Sequence, residues 1–180
     1  PAKVDNLTNM IGFNFRMTEL SAAVANEQLR KIEKHVDKRI KISETLSEKL
    51  SNLKGITVPK IRNKCKHVYY EWAIKFDDKV IGLDRDKFVE ALNKQGFPCF
   101  SSYLQPLYNL PIFKKKIAIG KDGFPFNLSK DKNIFCPTAE NLYSKKFILF
   151  EPCAFDVNKE SLNKLVEAFK KVYENLDQLN

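Results

Sequence analysis

The run from Thr18 to about Leu53 constrains this chain more than any other feature. Ala25, Leu29, Ile32, Val36, Ile40, Leu46, Leu50 and Leu53 recur at steps of three and four, with Ser43 in the one gap, which predicts a single long helix with one apolar face. Thr18 suits its N-cap and Glu19 its first turn, and Gly55 is a residue that can end it. At ~1.5 Å per residue such a helix is roughly 50 Å long, more than the width of a compact domain of this size. A helix of that length spans two domains or lies along a partner.

Beyond it the pattern shortens. From His67 to Phe76 the period is two, with Val68, Tyr70, Trp72, Ile74 and Phe76 on one side and Tyr69, Glu71, Ala73 and Lys75 on the other, as in a half-buried strand. Asp84 is placed to cap a short helix carrying Phe88, Val89 and Leu92, closed by Gly96. Phe97–Phe100 is predicted as a short strand and Leu104–Asp131, with three prolines and two glycines, as a long irregular loop. Pro137–Tyr143 suits a short helix, Lys146–Glu151 a third strand, and Asn158–Leu179 an amphipathic helix with Leu162, Leu165, Val166, Phe169, Val172, Tyr173 and Leu176 inward. The expected fold class is α+β: a small antiparallel sheet flanked by helices, entered by one long N-terminal helix.

Composition narrows the functional classes. A chain of 180 residues that is 43% hydrophobic and 29% charged can build a core, and no segment approaches the ~20 apolar residues of a membrane span. Nor is there a secretory leader pattern, so a cytoplasmic location is expected. The net charge of +9 comes from 31 basic residues interleaved with 22 acidic ones, and no nucleic-acid-binding motif accompanies them. A basic surface that attracts anionic metabolites fits better than a nucleic-acid partner. Cys65, Cys99, Cys136 and Cys153 lack metal-ligand spacing and read as structural thiols, small buried hydrophobes; no metal site is expected. His35 sits among charges on the long helix and reads as a surface residue. No complete catalytic set is present on chemistry alone.

One stretch stands apart. In Gly12-Phe13-Asn14-Phe15-Arg16-Met17-Thr18-Glu19-Leu20 an extended segment brings an amide and a guanidinium to the start of a helix. Alternate residues share a face, so Asn14 and Arg16 point together while Phe13 and Phe15 anchor the other side. An amide, a guanidinium and free helix N–H groups suit an anion, a phosphate above all. An Arg paired with a carboxylate at a domain junction fits the same residues.

That stretch, with Ser21-Ala22-Ala23 and the long helix after it, resembles the G-[YFT]-N-[YF]-R-M-[ST]-E-[LF]-x-A-A segment of the DegT/DnrJ/StrS-type sugar aminotransferases. His67-Val68-Tyr69-Tyr70 resembles that family's HxYH-like strand, Gly96-Phe97 through Tyr103 to Pro106-Leu107-Tyr108 and Pro111 its GI…Y.PLH..P region, and Pro137-Thr138-Ala139-Glu140 its P.AE helix. The resemblance implies the C-terminal portion of an enzyme of the type I, aspartate aminotransferase-like fold that uses pyridoxal 5′-phosphate, works as a homodimer, and moves an amino group from glutamate or glutamine to a nucleotide-linked keto sugar. By the same resemblance, Asn14 reaches the cofactor phosphate of the neighbouring subunit, Arg16 faces an anion beside it, and His67, Tyr103 and Tyr108 lie near the sugar nucleotide.

The family's cofactor lysine lies well upstream of the GFNFRM motif, so Lys3 does not match it and no catalytic residue is assigned within this chain; the chain alone is expected to be inactive. Tyr108 stands where many relatives have histidine. The expected division is residues 1–17 as a remnant of a large cofactor-binding domain absent from this chain, 18–53 as the linking helix, and 54–180 as the small C-terminal domain. Two other readings stand beside this one: a sugar 3-dehydratase of the same family that uses pyridoxamine phosphate, and a non-catalytic binding or dimerisation module.

Overall fold

The fold is described from a computed structural model, in which residue 13 and residues 15–117, 123–128 and 135–179 are described. The long helix forms, as α1, over Glu19–Leu50. Thr18 caps it, its hydroxyl accepting from the Ser21 N–H at 3.2 Å and donating to the Ser21 hydroxyl at 2.9 Å. The chain divides into two compact units inside this helix, one ending at Val36 and the other beginning at Asp37.

In the first unit the apolar positions of α1 face solvent: Leu20, Val24, Leu29 and Ile32 are all at least half exposed. In the second, Ile42, Ser43, Leu46 and Leu50 are buried. Ile42 belongs to the buried face although the three-four spacing passed over it. The helix ends at Leu50, short of Gly55, which instead takes φ +82° in the turn into the sheet. A Cβ at Gly55 would stand 2.5 Å from Ile81 Cγ1, so both the backbone angle and the close approach require glycine there.

The second unit is built on a three-stranded antiparallel sheet in the order β1 (Ile56–Thr57), β2 (Trp72–Phe76), β3 (Phe147–Phe150). Ile56 pairs with Phe76, and Trp72, Ala73, Ile74 and Lys75 pair with Phe150, Leu149, Ile148 and Phe147. The expected strand over Phe97–Phe100 reduces to one bridge, Phe100 to Leu149, whose two N–H···O bonds measure 3.0 and 2.9 Å.

The period-two reading of His67–Phe76 holds only from Trp72 on. Upstream the burial is inverted: Tyr69 is 1% exposed, whereas Val68 and Tyr70 face solvent. Tyr69 has φ +46°, and its N–H donates to His67 Nδ1 at 2.9 Å. This local turn replaces strand pairing and swaps the two faces.

Helices α2 (Asp78–Ile81) and α3 (Arg85–Lys94) follow β2, and the Asp84 carboxylate caps α3 through the N–H groups of Asp86 and Lys87, as its position predicts. Within the expected loop the described residues form a 3₁₀ turn at Leu107–Asn109, a short helix α4 (Pro111–Lys114) and a second 3₁₀ turn at Phe126–Leu128. Helix α5 (Pro137–Asn141) runs into a π turn, Leu142–Lys146, directly before β3, and α6 (Lys159–Glu174) closes the unit under an Asn158 cap.

The core is aromatic. Phe76, Phe88, Phe97, Phe150 and Phe169 have no exposed surface, and the Phe97 ring lies 5.4 Å from both Phe150 and Phe169. Such pairs contribute about 0.5–1.5 kcal/mol each beyond the burial of their area. Trp72 seats α1 on this core, its indole N–H donating to Ser47 Oγ at 2.9 Å. Asn93 ties α3 to the bridge strand: its amide donates to the Val89 and Cys99 carbonyls, both at 2.8 Å, and accepts from the Cys99 N–H. Of the four thiols only Cys99 is buried, where loss of solvent pushes its pKa up to about 12; Cys65, Cys136 and Cys153 are exposed, so the buried-thiol expectation fails at those three. No described helix is long and apolar enough to cross a membrane.

Candidate functional site

The second unit carries a cleft of about 340 Å³ between the chain after Phe100 and the α5–π turn, lined mainly by Tyr103, Leu104, Pro106, Ala139, Leu142 and Tyr143. Two anchors hold its walls.

The first is Arg85, whose side chain is only 7% exposed at the start of α3. Its Nη1 donates to Ser102 Oγ at 3.0 Å and to the Tyr143 carbonyl at 2.8 Å, and its Nε donates to Asp86 at 2.9 Å. The Ser102 hydroxyl also donates to the Tyr143 carbonyl. One planar guanidinium therefore joins both sides of the cleft, a task that suits its fork of donors. It holds Ser102 at φ +68°, the residue from which Tyr103 projects. Burial pushes the Asp86 carboxyl up, but hydrogen bonds from Arg85 and Ser101 outweigh that and hold it below its ordinary value.

The second anchor is Glu140 on α5. Its Oε1 accepts from the Tyr108 hydroxyl at 3.0 Å and from the Asn109 amide at 2.8 Å, while the Tyr108 oxygen accepts from the Cys136 N–H at 3.2 Å. Burial raises the Tyr108 pKa; the Cys136 N–H opposes this and the Glu140 carboxylate adds to it, so the phenol remains a proton donor at neutral pH.

Tyr103 stands at the rim, more than half exposed. Its hydroxyl lies 3.4 Å from that of Tyr70, with the rings edge to face at 6.3 Å. That hydrogen bond, with the charge of Tyr103 and then loss of solvent and the charges of Glu151 and Glu71, pushes the Tyr70 pKa up to about 12. The His67 ring packs 4.1 Å from that of Tyr69, and its Nδ1 is an acceptor, so Nε2 carries the proton of the neutral ring.

Thus Tyr103 lines the cleft, and the Tyr108–Glu140 bond ties together the segments that follow two of its other lining residues, Pro106 and Ala139. No hydrogen bond or ring contact joins His67 to either tyrosine among the described residues. Asn14 lies outside the described residues. Arg16 is exposed immediately before the capped start of α1, between the exposed rings of Phe13 and Phe15 and that helix. A guanidinium at a helix N-terminus has the donor chemistry for a phosphate, so this end of the chain fits the phosphate of pyridoxal phosphate in kind.

Tyr70 and Arg85 were not legible as site residues. Tyr70 reads as one more apolar residue of a strand, and Arg85 as an ordinary residue after a cap; the long-range partners that matter arrive only with the fold. Among the described residues no group of three or more histidine, cysteine or acidic side chains could hold a metal.

A model of the DegT/DnrJ/EryC1/StrS aminotransferase family matches residues 2–170. An uncharacterized protein of Methanocaldococcus jannaschii is 26% identical over 161 residues, covering 89% of this chain and 38% of that protein. The GDP-perosamine synthase of Caulobacter vibrioides is 28% identical over 122 residues, covering 63% and 33% respectively. Among solved structures, the aminotransferase from Psychrobacter cryohalolentis superposes with a TM-score of 0.69 at 22% identity, over 93% of this chain and 42% of that one, a likeness of fold. The chain spans roughly two-fifths or less of the length of each.

Proposed function

Since the chain belongs to the DegT/DnrJ/EryC1/StrS aminotransferase family, we propose that it serves a pyridoxal phosphate-dependent transfer of an amino group from glutamate or glutamine to a nucleotide-linked keto sugar. The observation that carries this reading is the family match over residues 2–170, which includes the GFNFRM segment at the head of α1 and the cleft-forming segments around Tyr103, Tyr108 and Glu140. The name GDP-perosamine synthase, borne by one relative, is in keeping with a nucleotide-linked sugar. The net charge of +9 favours a substrate bearing a diphosphate.

In this reading residues 1–17 form part of the cofactor site, 18–53 the linking helix and 54–180 the small domain of a type I fold, in a cytoplasmic homodimer. Asn14 and Arg16 bind the cofactor phosphate of the neighbouring subunit. The cofactor supplies an electron sink for the carbon that gains or loses nitrogen. His67, Tyr103 and Tyr108 orient the sugar nucleotide: Tyr103 offers an exposed ring and hydroxyl at the cleft rim, and Tyr108, fixed by Glu140, keeps its proton.

None of the residues that match the family's motifs is its cofactor lysine, so this chain by itself does not hold pyridoxal phosphate covalently. Incubation with pyridoxal phosphate, borohydride reduction and peptide mass mapping tests this. The expected result is no specifically labelled lysine and no transaminase turnover. A single lysine reduced onto the cofactor, with turnover of a nucleotide-linked keto sugar by these 180 residues alone, would overturn the assignment.

A further inference from the structure

Antiparallel pairing of Trp72 with Phe150 places the residues just beyond, Glu71 and Glu151, across from each other at the end of the β2–β3 ladder. Both carboxylate oxygens of Glu71 are shut from solvent, and among the described residues no amide, hydroxyl or cationic group donates to them. The side chain that meets it is the second carboxyl, that of Glu151. No ion pair joins either glutamate to a lysine, arginine or histidine among the described residues. Two carboxylates offer only acceptors to one another, whereas a carboxylate and a carboxylic acid form a strong hydrogen bond.

Among the described residues, further titratable groups bear on this pair and its neighbours. Tyr70 comes from the segment before β2, and its phenol feels both glutamates as well as Tyr103 from the chain after Phe100. From α1, Glu44 acts on the neighbouring Tyr69. None of these is a cation that would let both glutamates ionise.

We propose that Glu71 and Glu151 share a single proton across the end of the β2–β3 ladder, and that this proton holds in place the exposed Tyr70–Tyr103 pair at the rim of the cleft. The sharing satisfies the buried oxygens of Glu71 and leaves one negative charge beneath Tyr70 instead of two. Tyr70 is joined directly to Glu71, so separating the two carboxyls moves the residue whose hydroxyl meets Tyr103.

Burial first, then the charge of Glu151 and a hydrogen bond with it, push the Glu71 pKa up to about 7 from its ordinary 4.5. A raised carboxyl pKa in the folded chain means that its stabilising proton is fully present below about pH 4.5. The contribution is lost as pH rises toward 7 and does not fall further above that. The corresponding change in the folding equilibrium is on the order of 10²-fold.

The test is carbon-detected NMR of the glutamate carboxyls in the unmodified protein from pH 4 to 9, with urea denaturation at each pH for it and for Glu71→Gln. The expected result is that the Glu71 carboxyl reports a transition near neutral pH and that the Glu151 carboxyl signal and the Tyr70 and Tyr103 ring signals shift with that same midpoint. Glu71→Gln, whose amide donates to Glu151 without a titrating proton, should remove that transition and the accompanying loss of stability. Glu71 titrating near 4.5, or tyrosine signals that ignore the carboxyl transition, would overturn the proposal even if the variant failed to fold.

Discussion

Replacing Arg85 with alanine should cost this protein about 2–4 kcal/mol, an unusually large effect for a residue type that normally lies on the surface. The magnitude follows from the three shorter of the four contacts Arg85 makes among the described residues, the fourth, to the Phe147 carbonyl, being 3.4 Å long. The Asp86 carboxylate is 64% exposed, so that ion pair contributes at most about 1 kcal/mol. The bonds to Ser102 Oγ and to the Tyr143 carbonyl, at 3.0 and 2.8 Å, run from a charged donor into partly buried acceptors, and each contributes about 1.5–3 kcal/mol. The sum is not additive, because Ser102 also donates to the Tyr143 carbonyl and leaves it satisfied when the arginine is gone. Arg85→Lys keeps the charge without the fork and should recover less than half of the loss. Urea denaturation with an unchanged m value measures both variants, and amide exchange at Ser102 and Tyr103 should speed up alongside. A loss below 1 kcal/mol for Arg85→Ala, or a lysine variant as stable as the parent, would show that the cleft does not depend on this guanidinium.

Three further outcomes are expected. Leu46→Ala, at a position with no exposed surface, should destabilise by about 2–5 kcal/mol, whereas Leu29→Ala, 65% exposed on the same helix, should change stability by less than about 0.5 kcal/mol; thermal denaturation compares the two. Tyr108→Phe removes the donor to Glu140 and the acceptor for the Cys136 N–H and should cost about 1–2 kcal/mol in urea denaturation, while Asn109 still holds Glu140; an unchanged midpoint would refute the anchor. If the proposed function holds, Asn14→Ala in an enzyme that carries this chain together with a cofactor-binding domain should weaken pyridoxal phosphate retention by about tenfold or more, the scale of one charge-assisted hydrogen bond, and equal affinity by equilibrium dialysis would count against the proposed role at the phosphate.

How much of the molecule is legible along the chain depends on the range of the forces involved. Helices α1, α3 and α6 follow from apolar spacing, and the first two also from caps at Thr18 and Asp84, because both are interactions between near neighbours. The segment Gly12–Leu20 lies within the family match, and its resemblance is carried by the order of its own residues. Strand edges were less legible. The two residues of β1 carry too little pattern to register, and the alternation through His67–Phe76 conceals a turn that His67 and Tyr69 make between themselves.

What the residues determined by themselves was therefore the α+β class, the long helix, most helix boundaries and the family to which the chain belongs. Tertiary structure alone decided which half of α1 is buried, since the same apolar spacing covers Leu29 and Leu46 and only packing against Trp72 and the sheet distinguishes them. It also decided that Arg85 is buried, that Glu140 receives Tyr108, and that Glu71 meets Glu151. Each of these joins residues at least 30 positions apart in sequence, or, for Arg85, 17 and 58 apart. No local rule of charge, cap or periodicity reaches that far; strand register and helix docking do.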